Sequence, residues 1–143
     1  MDVIKTIQVK VAPERAFRVF VDGIGSWWPL HEGFSFGGDN AESIFIEPHY
    51  GGRFYERFKD GDEFVVGTVS VYDPPHRIVF SWRSPEWQGP TEVEVRFTPR
   101  DNGTLVSLEH RGWDTAGVAE PEREGYDNGW VLVLARYAQA ANA

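Results

Sequence analysis

Between residues 43 and 111 the chain alternates apolar and polar side chains in six short runs, and after them the period changes from two to that of a helix. The runs are residues 43–47, 53–58, 63–72, 77–83, 91–98 and 104–111. Gly51-Gly52, Lys59-Asp60-Gly61-Asp62, Asp73-Pro74-Pro75-His76 and Arg100-Asp101-Asn102-Gly103 interrupt them with turn-forming residues. Successive strands joined by tight turns must run antiparallel. Val93, Val95 and Phe97 oppose Glu92, Glu94 and Arg96, so one face is apolar. Ile78, Phe80 and Trp82, and then Val106, Leu108 and His110, repeat the pattern. A sheet with one apolar face needs a cover. The last segment supplies it: Tyr126, Trp130, Val133, Leu134 and Tyr137 form one stripe of a long helix, with Pro121 fit for its first turn.

The first forty residues add a strand and two short helices. Residues 3–11 alternate, with Val3, Ile7, Val9 and Val11 on one face and Lys5 as the exception. Pro13 suits a first helical position, and Ala16, Phe17, Phe20 and Ile24 recur at helical spacing. That helix breaks near Gly23 and Gly25, and Trp27-Trp28-Pro29 belongs to a second short helix or a turn. Residues 30–42 read as a loop whose Phe34 and Phe36 tuck inward. The fold class is therefore α+β: a curved antiparallel sheet of about seven strands wrapped around a long C-terminal helix, with two short helices after the first strand. A single domain is expected over residues 1–143, a length that can bury a sizeable core. A strongly twisted sheet curling around a helix leaves room for a cavity.

Composition removes several functions. The absence of cysteine excludes disulfides, thiol catalysis and cysteine–zinc sites. The formal net charge of −8 argues against nucleic acid and anionic membrane surfaces as partners. No basic segment followed by a long apolar run opens the sequence, so the expected location is cytoplasmic. His31, His49 and His76 lack metal-ligand spacing, and no metal or cofactor is expected. No nucleophile elbow, phosphate loop or dinucleotide fingerprint is present.

What remains unusual is the aromatic content, 15% of the chain. Aromatic rings fill cores and also line pockets for small molecules. The candidate cavity residues are Trp28, Phe36, Phe54, Phe80, Trp82, Val93, Val95, Val106, Leu108, His110, Tyr126, Trp130 and Leu134. Ordinary core packing explains each of them singly. Trp27 and Trp28 either gate a pocket mouth or plug the short helix onto the sheet; one buried and one exposed would satisfy both. Gly125 and Gly129 share a helix face, where a backbone, a ring or a ligand comes close. His110 lies on the apolar face, as a satisfied core histidine or as a group that binds a ligand or acts as a base. Tyr55, Glu56, Arg83 and Tyr126 are further polar candidates at a pocket rim, each also explained as a surface or ladder residue.

An ordered set of motifs carries a family resemblance over nearly the whole chain. The set runs through residues 13–20, Trp27-Trp28, Gly51-Gly52-Arg53-Phe54-Tyr55-Glu56, Gly67-Thr68-Val69, Asp73-Pro74-Pro75-His76-Arg77-Ile78 and Phe80-Ser81-Trp82. It ends with Leu108-Glu109-His110-Arg111-Gly112-Trp113 and Gly129-Trp130. In these residues the chain resembles the activator of heat-shock protein 90 ATPase homologue-like group, within the START and polyketide-cyclase superfamily. The resemblance implies a helix-grip fold with an internal cavity for apolar or amphipathic ligands. Ala12 departs from the pattern, since the family usually places a capping Ser, Thr or Asp there. The chaperone activators carry a further domain in front, whereas this sequence opens at the first strand.

The leading expectation is a non-catalytic binder of a small hydrophobic or amphipathic molecule, monomeric or homodimeric. Two alternatives stand beside it. One is an enzyme of the cyclase, dehydratase or hydrolase kind that uses polar cavity residues, and the other is a chaperone-interacting module.

Overall fold

The computed structural model describes residues 2–143. Its strands are β1 (Val3–Val9), β2 (Ala41–Ile46), β3 (Arg53–Phe58), β4 (Glu63–Asp73), β5 (Arg77–Trp82), β6 (Thr91–Arg100) and β7 (Gly103–Arg111). They form one antiparallel sheet in the order β1-β7-β6-β5-β4-β3-β2. Each hairpin turn named from the sequence joins neighbours in space, so only β1 is brought in from afar, beside β7. This is the curved antiparallel sheet around the last helix that the alternation predicts, and the START-like helix-grip architecture that the resemblance implies.

The helices are α1 (Pro13–Val21), α2 (Ile24–Trp27), α3 (Trp113–Ala116) and α4 (Glu120–Ala141). Pro13 opens α1 behind Ala12, which makes no side-chain cap bond. The turn between α1 and α2 has no room for a side chain at Gly23, where a Cβ would lie 2.7 Å from the carbonyl oxygen of Val19. Pro121 stands in the first turn of α4, as its sequence position indicates. Two short elements go beyond those expected from the sequence. A turn of 3₁₀ helix covers Gly38–Asn40, and α3 lies between Gly112 and Gly117, both at positive φ.

The core lies between the inner face of the sheet and α1, α2 and α4. Val93, Val95 and Phe97 of β6 and Val106, Leu108 and His110 of β7 are all buried. On α4 the stripe residues Trp130, Val133, Leu134 and Tyr137 are buried too. The Tyr137 hydroxyl donates to the Ala16 carbonyl at 2.7 Å, tying α4 to α1. Lys5, the exception on the apolar face of β1, reaches Asp127 of α4, with Nζ 2.9 Å from the carboxylate. Its aliphatic stem covers apolar surface while its charge finds a partner at the edge.

The curl is uneven. The helix α4 packs against β1, α1 and α2. Its first turns stand away from β2, β3 and β4, and this gap positions the site.

Candidate functional site

The gap is a cleft of about 360 Å³. Trp28, Phe36, Phe54 and Trp82 form its aromatic walls, with Ile44 and Val66 from the sheet. Glu122, Gly125, Tyr126, Gly129, Trp130 and Val133 of α4 close the other side, and residues 33–36 cover the end.

Each wall follows from local sequence. Phe54 and Glu56 are two apart on β3, so both face inward, and both are essentially inaccessible to solvent. Trp28 sits at the end of α2, where its indole N–H donates to the Phe34 carbonyl at 2.7 Å. Its ring meets Phe54, Trp82 and Trp130 at centroid distances near 6 Å, which is edge-to-face or tilted packing. Phe36 leans on Phe64 and Trp82. The glycines of α4 make the space. A Cβ on Gly129 would lie 3.0 Å from the Phe34 ring, whereas one on Gly125 would meet nothing within 4 Å. The close neighbour of Gly129 is therefore a loop ring, and Gly125 faces open cleft.

Four polar side chains line this apolar space, and one of them, Ser35, accepts the Gly38 backbone N–H at 3.0 Å. Glu56 accepts the backbone N–H groups of Phe36 at 2.8 Å and of Gly37 at 3.3 Å. Burial pushes its carboxyl above the usual range, against the pull of those two N–H groups. Tyr126 accepts the indole N–H of Trp82 at 3.1 Å, and burial pushes its phenol up to about 12. Glu122, on the exposed side of α4, accepts the indole N–H of Trp87 at 2.9 Å and joins the β5–β6 loop to the helix start.

Of the residues named from the sequence, Trp28, Phe36, Phe54, Trp82, Tyr126 and Trp130 come together on the cleft wall. Phe80, Val93, Val95, Val106, Leu108, His110 and Leu134 do not. They lie where helix and sheet are in contact, and their surfaces are spent on one another. Phe80, for instance, packs edge-on beneath Phe54 at 5.2 Å. The tryptophan pair also differs from the one-buried, one-exposed expectation. Both are buried, Trp27 against Phe20 and Tyr137 and Trp28 against the cleft. The sequence offers Glu56 only as a rim candidate, yet it is buried in the wall. Its signal is its place between Phe54 and Phe58 on one face of a strand.

His110 is fully enclosed. Its Nδ1 lies 3.1 Å from the Trp130 indole N–H, and its Nε2 lies 2.7 Å from the Thr91 hydroxyl. The Thr91 hydroxyl in turn donates to the Trp82 carbonyl at 2.7 Å. An indole N–H can only donate, so Nδ1 is the acceptor and Nε2 carries the proton. Both nitrogens are satisfied within the core, and burial pulls the imidazole down to about 3. This is a structural histidine, with no free nitrogen for a ligand.

Among the described residues, no group of His, Asp and Glu is arranged to hold a metal ion, and no helix is long and apolar enough to cross a membrane.

Comparison with known proteins places this architecture. An anthrahydroquino-gamma-pyrone synthase, solved as a complex, shares 30% identity over 97% of this chain and 96% of its own, with a TM-score of 0.63. The Aha1 dimer of Colwellia psychrerythraea matches over 99% of this chain and 96% of its own, at 18% identity and a TM-score of 0.72. A protein of Chromobacterium violaceum matches over 99% and 97%, at 20% identity and a TM-score of 0.73. No curated protein matches the sequence at a significant level. The family model described as activator of Hsp90 ATPase homolog 1-like protein matches residues 10–142, and the chain belongs to that family.

Proposed function

We propose that the protein binds a small, flat, largely apolar molecule in the cleft between α4 and strands β2 to β5. The observation that carries this reading is the convergence of seven aromatic side chains around a space of about 360 Å³. That volume lies in the range of small-molecule sites, and such sites are mainly apolar with a few placed polar groups. Trp28, Trp82 and Trp130 stand in the wall, so an occupant must touch them. Titration with 2-tetralone, anthrone and oleate, followed by tryptophan fluorescence and thermal melting, tests the reading. At least one aromatic ketone gives saturable quenching and raises the melting temperature. Flat titrations with all three compounds would refute it.

A second reading, an enzyme of the cyclase kind, is favoured by the 30%-identical synthase together with the carboxyl and phenol inside the cleft. A chaperone-docking surface has less support. Among the described residues the large exposed apolar side chains are Ile4, Tyr50, Val65 and Val131, from β1, the β2–β3 turn, β4 and α4.

A further inference from the structure

We propose that Glu56 and Tyr126 make the cleft a proton-transfer site for a carbon acid, an aromatic ketone with an acidic C–H next to its carbonyl. The inference rests on the binding reading above and names the chemistry of that site.

Glu56 is 1% exposed, faces the cleft and is paired with no Lys or Arg among the described residues. A buried carboxylate without a counter-ion is expensive, and two backbone N–H bonds offset only part of that cost. A carboxylate has about four acceptor positions, so two N–H bonds leave capacity for a group in the cleft. Burial raises the basicity of the carboxylate towards that of a working general base. Anchoring the chain at Phe36 and Gly37 accounts for the two bonds. It does not account for the phenol on α4.

Tyr126 projects into the same space from α4. The Trp82 indole N–H occupies one lone pair of its oxygen, and among the described residues its own O–H meets no acceptor. With its phenol pushed up to about 12 it stays protonated and donates. A base and a hydrogen-bond donor, separated by an aromatic-walled slot, are the two groups that enolisation requires.

The step balances without a cofactor. A Glu56 oxygen takes the proton from the carbon beside the carbonyl, so an O–H bond forms as the C–H bond breaks. The C–H electron pair becomes the enolate C=C bond, and the carbonyl π pair moves onto oxygen. Tyr126 donates a hydrogen bond to that oxygen and keeps its proton. Return of the proton, or of a deuteron taken up from solvent, restores the ketone and the carboxylate.

Exchange of the C1 protons of 2-tetralone in deuterium oxide, followed by proton NMR, tests this. Tryptophan quenching on the same samples reports binding separately. The native protein should accelerate exchange at least about a hundredfold over buffer, the lower end of general-base effects. Glu56→Gln should abolish the acceleration while quenching persists, and Tyr126→Phe should reduce it tenfold or more. The Gln amide would set its own N–H against Phe36 and Gly37, which endangers the fold. Glu56→Asp keeps both oxygens one methylene farther back and should also lose tenfold or more. Quenching without accelerated exchange overturns the proposal and leaves the binding reading standing. So does native-rate exchange in a folded Glu56 variant. Loss of both signals in the native protein overturns the two together.

Discussion

A histidine enclosed on every side has to be neutral, and the groups around His110 fix which nitrogen holds the proton. Trp130 donates to Nδ1 and Nε2 donates to Thr91, whose own hydroxyl is turned to a backbone carbonyl. The Trp113 ring, with centroids 4.0 Å apart, covers one face of the imidazole. Protonation would place a second N–H against the indole N–H, at a site shielded from bulk solvent. The native value therefore lies near 3, whereas the unfolded chain titrates near 6.5. Between those values the unfolded state binds a proton that the native state refuses, so stability falls as pH drops. The slope for one such proton is about 1.4 kcal/mol per pH unit. Chemical denaturation of native protein and His110→Gln between pH 6.5 and 4.5 should show that the variant, though less stable, loses stability more slowly on acidification. Glu56 contributes the opposite slope to both proteins, because its raised carboxyl favours the native state as pH falls, and it cancels in the comparison. Parallel slopes would mean that His110 is hydrated and titrates normally.

At the scale of elements, α4 does two jobs along one length. Its later turns carry Val133, Leu134 and Tyr137 into the core, while its earlier turns hold Gly125 over empty cleft. A glycine inside a helix costs roughly 1 kcal/mol relative to a good helix former. Nothing in the packing at Gly125 demands it, since a Cβ there meets no atom within 4 Å. Gly125→Leu should therefore be stabilising or neutral by thermal melting, because it adds propensity and covers apolar wall. The same leucine should weaken binding of an aromatic ketone tenfold or more, because it fills the slot. A variant that melts as high as native protein and still binds normally would show that ligands do not reach this part of the cleft.

The elements were largely legible beforehand because alternation and turn residues are local signals. β3 spans the residues read from the sequence, and β4 to β7 differ from their reading by one to two residues at an end. What escaped has a physical reason in each case. With only four residues between two positive-φ glycines, α3 is too short to show a period. The division of inward-facing residues into packed core and cleft wall depends on where α4 lies close to the sheet. Val95 and Trp82 follow the same alternation, and only the nearness of the helix separates them.

For the molecule as a whole, the uneven contact of α4 makes stability uneven. At the end where α4 meets β1, α1 and α2, aromatic contacts run unbroken from Phe17 through Phe97 and Phe20 to Trp27 and Tyr137. At the other end the cleft replaces partner atoms, and its covering segment hangs on the Glu56 carboxyl and the Trp28 indole. Groups facing a void lose dispersion contacts outright, so local opening there needs less free energy than opening the packed end. Amide hydrogen exchange should follow this division. Protection should be greatest in β6, β7 and residues 130–138, and least in residues 33–40 and 120–126. An aromatic ketone that occupies the cleft adds the missing contacts, so it should slow exchange in those weak segments first. It should leave the β6–β7 ladder unchanged until global unfolding dominates. A ligand that slowed exchange only at the outer face, where Glu94 pairs with Arg77, Arg96 and Arg111, would move the binding site out of the cleft.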